Sequence, residues 1–139
     1  MTFGEYQKLL NQIEWNCLIN IMKVIINENE AFEKLKKILI SWNDADSEKS
    51  KNSMDYFIEQ LIYSKWDRNR IYNFIFIYVR INLSNLDYDM IPEKAIDYLS
   101  DIETSIIGYC CPSCFLKIPG EPLDENDLIA YVRGNKWKN

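Results

Sequence analysis

Between Ile71 and Val79 only Asn73 is neither aliphatic nor aromatic, inside the longer stretch W-D-R-N-R-I-Y-N-F-I-F-I-Y-V-R-I-N-L at 66–83. Nothing else in the chain is as apolar, so the other segments must pack around this one. Its period is ambiguous. Odd positions (Ile71, Ile75, Ile77, Val79, Ile81, Leu83) are aliphatic and even positions (Tyr72, Phe74, Phe76, Tyr78) aromatic, which is strand-like in both period and residue type. Yet the run is long for a strand and has no comparable partner. Asp67 is also placed to cap a helix. Length favours a buried central helix, with a strand as the alternative. Phe76, with apolar residues on both sides, is expected to be fully buried.

Around it the sequence predicts a mostly α chain, a single domain over 1–139, built as a helical bundle or as stacked helical pairs. At 139 residues and 47% hydrophobic content, a sizeable core is available. Phe3, Tyr6, Leu10, Ile13, Cys17, Ile21 and Val24 fall at helical spacing, predicting a first helix over Thr2–Asn27. A second is predicted over Glu30–Trp42, with Phe32, Leu35, Ile38 and Leu39 inward. The string N-D-A-D-S-E-K-S-K-N at 43–52 reads as a polar, mobile loop, with Ser53 as the N-cap of a helix over Met54–Lys65. Phe57, Ile58, Leu61 and Ile62 form that helix's inward face. Pro92 opens a helix to about Glu103, with Ala95, Ile96, Leu99 and Ile102 inward. A short irregular or β segment is expected near 104–120, where Gly108, Pro112, Pro119 and Gly120 fall. A last helix, Glu125–Arg133, has Asp124 as N-cap, Gly134 as the residue just past its end, and Leu128, Ile129 and Val132 inward.

The chemistry-bearing residues exclude more than they suggest. The chain has no histidine, and its four glycines are isolated. The commonest general base and zinc nitrogen ligand are therefore missing, and there is no glycine-rich phosphate loop. An enzyme is not expected. In C-C-P-S-C at 110–114, one C-x-x-C lacks the second ligand pair of a zinc site. Pro119-Gly120 follows too closely for the helix of a redox motif. Buried or half-buried reduced thiols in a compact turn are the expectation. A Cys-centred metal module is the outside alternative, and no cofactor is called for. No apolar run approaches the roughly 20 residues of a spanning helix, and the N-terminus lacks signal-peptide character. A cytoplasmic, monomeric protein without membrane contact is expected.

Charge is the informative feature. The net charge is −5, but residues 84–127 hold ten acids and two bases, whereas 1–83 hold eleven of each. Nucleic acid would be repelled by such a segment, and a basic protein partner attracted. Glu93, Asp97 and Asp101 recur every fourth residue and must line one helix face. Like charges at this spacing cost about 0.2–0.5 kcal/mol per pair. Such a stripe is either a plain solvated face or a surface whose repulsion a basic partner relieves. With Asp87, Tyr88, Asp89, Tyr98, Glu121, Asp124 and Glu125, and with Tyr109 as a further aromatic, these residues form the candidate partner-binding set.

The C-terminal string I-P-G-E-P-L-D-E-N-D-L-I-A-Y-V-R-G-N-K-W resembles, in its acidic-then-apolar last helix, bacterial immunity proteins of contact-dependent growth inhibition systems. The resemblance rests on about twenty residues plus overall size and acidity. It implies a protein that binds one cognate toxin domain, commonly a nuclease, and blocks its active site. A nucleic-acid-mimicking inhibitor of the anti-restriction type is the alternative that the same charge pattern allows.

Overall fold

The computed structural model describes residues 24–86 and 90–138. These are mostly helical, and no strand occurs among the described residues. Helix α1 (Glu28–Ile40) leads through a 3-10 turn (Asp44–Asp46) into α2 (Ser47–Tyr63). A central rod follows, made of α3 (Arg68–Asn73), a π-helical turn (Phe74–Val79) and α4 (Arg80–Leu83). Then come α5 (Glu93–Ile107), a second 3-10 turn (Pro112–Cys114) and α6 (Glu125–Arg133). The central segment is thus helical, as its length argues, and the helical bundle is the architecture seen.

The rod begins where Asp67 accepts the Arg70 amide at 2.8 Å. Ile71, Phe74, Ile75, Val79 and Leu83 are all buried. In a regular α-helix, successive four-residue steps drift by about 40°. The wider π turn holds 71, 75, 79 and 83 nearer to one line. Phe76 is only half-buried, stacked on Tyr72 at 4.6 Å between ring centroids. The expectation of a buried Phe76 is therefore corrected: a helix has an outer side, and 76 and 77 lie towards it. Phe74 is the inward aromatic, edge-on to Trp66 and tilted against Phe57.

The largest departure from the sequence-based expectation is at 43–52. This stretch is not a loop. Asn43 caps the 3-10 turn, accepting the Ala45 amide at 3.0 Å. Asp46 then caps α2, accepting the Lys49 amide at 3.3 Å. Two capping acceptors in tandem turn a polar string into a helix start. Its first turns stay in solvent because the inward face begins at Met54. Ser53 is mid-helix and donates its hydroxyl to the Lys49 carbonyl.

The other predicted inward residues largely fall inside. Phe32, Leu35, Leu39, Phe57, Ile58, Leu61, Ala95, Leu99, Ile102, Leu128 and Val132 are buried, while Ile38, Ile62, Ile96 and Ile129 are half-buried. Most of the first predicted helix lies outside the described residues. Its last part, 24–27, is not helical, and Asn27 instead caps α1. The segment at 104–120 splits. Residues 104–107 finish α5, and the remainder is irregular apart from the 3-10 turn. Gly108, with φ 83°, ends α5 in the left-handed region. A Cβ there would lie 2.9 Å from Val132, so glycine also lets α6 approach. Beyond α6, Gly134 has φ −79° and the left-handed position is taken by Asn135.

A buried Arg68 joins these parts. Its guanidinium donates to both carboxylate oxygens of Glu121, to the carbonyls of Ser105 and Ile106 in the last turn of α5, and to the Leu116 carbonyl. Phe74→Ala should cost about 3–5 kcal/mol and Phe76→Ala clearly less, read from denaturant midpoints of the two variants. Glu121→Ala should cost about 3–5 kcal/mol, because it strands a buried cation. A midpoint close to wild type in equilibrium unfolding would show that Arg68 finds solvent instead.

Candidate partner-binding face

Helix α5 is positioned by Ala95, Leu99, Ile102 and Ile106, whose burial turns the opposite side outward. Glu93, Asp97 and Asp101 are all exposed on it. Glu93 stands in the first turn, where the helix dipole favours a carboxylate. Asp97 and Asp101 lack that support.

Tyr98 lies between α5 and α2. Its ring packs on Trp42 with centroids 5.6 Å apart, and its hydroxyl donates to Asp55 of α2. The side chain is half-buried and already committed to internal contacts. It is therefore a joint between two helices rather than the free anchor expected from sequence. Burial, the hydrogen bond to Asp55, and the charges of Asp55, Asp101 and Glu48 together hold its hydroxyl well above the ordinary tyrosine pKa.

These same charges define the site. Asp55 and Glu59 of α2 and Tyr98 and Asp101 of α5 line one open cleft of about 380 Å³, with Leu116 and Lys117 on its far wall. A neighbouring cleft of about 270 Å³ joins Trp42, Lys51, Lys94, Asp97, Tyr98 and Asp101. Lys51 stands 5.8 Å from the Tyr98 ring centroid. Among the described residues, none of Glu48, Asp55, Glu59, Glu93, Asp97 and Asp101 forms an ion pair, whereas Glu28, Glu103 and Glu121 each hold an arginine. Of the α2 carboxylates missing from the sequence-derived set, Glu48 falls in a string with the composition of a loop, whereas Asp55 and Glu59 fall within the helix predicted over Met54–Lys65 and have no local pattern to mark them. Which helix α5 would meet is also a tertiary fact that no periodicity carries.

The remaining candidates are scattered. Asp87, Tyr88 and Asp89 lie outside the described residues. Glu121 is withdrawn from the surface by its 2.9 Å ion pair with Arg68, so its assignment to a docking surface is corrected. Asp124 is spent as the N-cap of α6, accepting the Asp127 amide at 3.0 Å, and Glu125 is exposed in the first turn. Tyr109 is 76% exposed beyond Gly108.

Cys111 and Cys114 flank the Pro112–Cys114 turn and are exposed, while Cys110 is half-buried. The expectation of sheltered thiols holds for Cys110 alone, because Phe115 is the residue this loop inserts into the small core formed with Leu128 and Val132. Burial, then the neighbouring Cys114 and Cys111, push the Cys110 thiol up in pKa, against the pull of Arg133. No group of three or more Cys, Asp or Glu side chains among the described residues is arranged to hold a metal ion. Nor is any described helix long and apolar enough to cross a membrane.

Comparison of the chain with protein-family models, with curated proteins and with solved structures gives no match.

The folded state binds the Tyr98 proton more tightly than the unfolded chain does. Its contribution to stability is therefore complete below about pH 10, the ordinary tyrosine value, and is lost as pH rises beyond it. Denaturant midpoints measured from pH 8 upward should fall more steeply above that value for wild type than for Tyr98→Phe.

Proposed function

We propose that this protein is an inhibitor of the immunity type, which binds a basic toxin domain, commonly a nuclease, through the acidic face shared by α2 and α5. One observation carries the reading: carboxylates from two helices gather around Tyr98 without forming an ion pair among the described residues, although Lys51, Lys94 and Lys117 line the same clefts, whereas Glu28, Glu103 and Glu121 are each held by an arginine. Free of a partner, such a face is repulsive. A lysine- or arginine-rich surface docked on it would remove that repulsion and gain charge-assisted hydrogen bonds. The resemblance of the C-terminal segment to immunity proteins of contact-dependent growth inhibition systems points the same way. A cytoplasmic, monomeric inhibitor without catalytic activity is the form this reading takes.

The gene neighbour supplies the probe: it should encode a large secreted protein ending in a toxin domain. Replacing Glu93, Asp97 and Asp101 by Gln should leave the melting temperature equal or slightly higher, because like charges are removed. Association with that toxin domain in stopped flow should slow, and its dependence on salt should weaken, since exposed charges act mainly on encounter. Adding Asp55→Asn and Glu59→Gln should slow it further. If the substituted protein associates at the wild-type rate in low salt, this face is only solvated surface and the reading fails.

A further inference from the structure

The loop between α5 and α6 presents two exposed thiols that neither the core nor the acidic face uses. Cys111 and Cys114 bracket the Pro112–Cys114 turn, and the Cys114 amide donates to the Cys111 carbonyl at 2.8 Å. A bond of that kind closes a turn whose first and fourth Cα atoms are less than about 7 Å apart. A disulfide spans Cα separations of about 4.4–6.8 Å. Pro112, with φ fixed by its ring, sits where such a turn favours it.

The turn is held at both ends. Arg133 of α6 donates to the carbonyls of Gly108 at 2.9 Å and Cys110 at 3.2 Å. Phe115 is seated with Leu128 and Val132, and the Leu116 amide donates to the Ser105 carbonyl at 3.0 Å. The two exposed thiols are therefore kept close by the fold, and bridging them leaves the anchors of α5 and α6 in place. Phe115 is extended, with φ −62° and ψ 136°, so the helix that a thiol oxidoreductase places after its motif is absent here. A bridge needs only the turn.

We propose that Cys111 and Cys114 are a redox modification site, a dithiol that exchanges with low-molecular-weight disulfides of the glutathione type and closes into a reversible bridge across the turn. One cysteine thiolate attacks a sulfur of the small disulfide and expels a small thiolate. The second thiolate attacks the resulting mixed disulfide and expels the other. One S–S bond is consumed and one formed. Two electrons pass from the cysteines to the small disulfide, and the two cysteine protons end on the released thiols. Cys110 stays out of the exchange, because burial first, then its thiol neighbours, keep it protonated, and the thiolate is the attacking form. Exposed bridges of this kind are the labile ones, and in a reducing compartment they open again. Cys114 also lines the α2–α5 cleft with Asp55, Tyr98 and Asp101. Oxidation thus takes a weak S–H donor off one wall of that cleft, although the bridge itself does not depend on what docks there.

The test uses freshly reduced full-length protein in buffers of glutathione and its disulfide, quenched by alkylation, unfolded and cut with trypsin. The peptide spanning residues 95–117 carries all three thiols of the loop. As the disulfide share rises it should lose the mass of two hydrogens and keep one alkyl group, on Cys110. Dithiothreitol should reverse the loss. Cys111→Ser and Cys114→Ser, both at exposed positions, should each stop at a mixed disulfide with glutathione, whereas Cys110→Ser should bridge as wild type does. In guanidinium the bridged fraction at the same glutathione ratio should drop, because the turn is gone. Three alkylated thiols across the whole series, a bridge that includes Cys110, a bridge between two chains, or an equal bridged fraction in the unfolded chain would each overturn the proposal.

Discussion

A guanidinium taken out of water must find partners for all its donors, and that requirement at Arg68 fixes how the helices meet. Its side chain is fully buried, with Glu121 as counterion. Two of its other acceptors, the carbonyls of Ser105 and Ile106, belong to the last turn of α5, where carbonyls have no partner within the helix and the dipole is negative. A third, the Leu116 carbonyl, belongs to the loop that returns over α5, and Leu116 also donates its amide to Ser105. One side chain at the start of the rod thus holds the last turn of α5, which Gly108 ends, to the 115–121 segment. Desolvation consumes much of what such a pair gains, so its effect is on arrangement more than on net stability.

Part of this arrangement is legible in the sequence. Helical spacing locates the inward faces of α1, α5 and α6, and Asp67 and Asp124 mark helix starts. The rod's period-two alternation misleads because aliphatic and aromatic residues alternate, not apolar and polar ones. Tandem caps at Asn43 and Asp46 are hidden in a composition that looks like loop. Arg68 and Glu121 stand 53 positions apart. In sequence, one is a surface base beside a helix start and the other an acid in an acidic segment. No local pattern distinguishes a paired buried charge from a solvated one, and that is why sequence alone assigns Glu121 to a docking surface.

The distribution of arginines gives the acidic face its meaning. Arg68, Arg70 and Arg80 each cross to a carboxylate on another element, at Glu121, Glu28 and Glu103. These bonds hold the rod to its surroundings and leave none of the three for the α2–α5 side. There, Lys51 and Lys94 line a cleft without forming an ion pair among the described residues. A lysine on a flexible stem moderates the local potential but does not saturate carboxylates as a forked guanidinium does. The face therefore keeps its field, and Tyr98, held by burial and by Asp55, reports it.

The acidic face and the groove that the exposed Ile77 and Ile81 line along the rod differ in physical kind, and salt separates them. At physiological ionic strength the screening length is about 8 Å, so exposed carboxylates on α2 and α5 lose influence over a partner as salt is added. The groove along Ile77 and Ile81 is apolar, and contact there is set by area removed from water, which such salt barely changes. A chain whose core is already closed by Phe57, Trp66 and Phe74 has no need of a charged face for folding, since removing like charges should if anything help. It does have a use for a cover over the rod, because exposed isoleucines invite association with other chains. Folding thus accounts for the groove and not for the acidic face, and a feature that folding does not require is the better place to look for a partner.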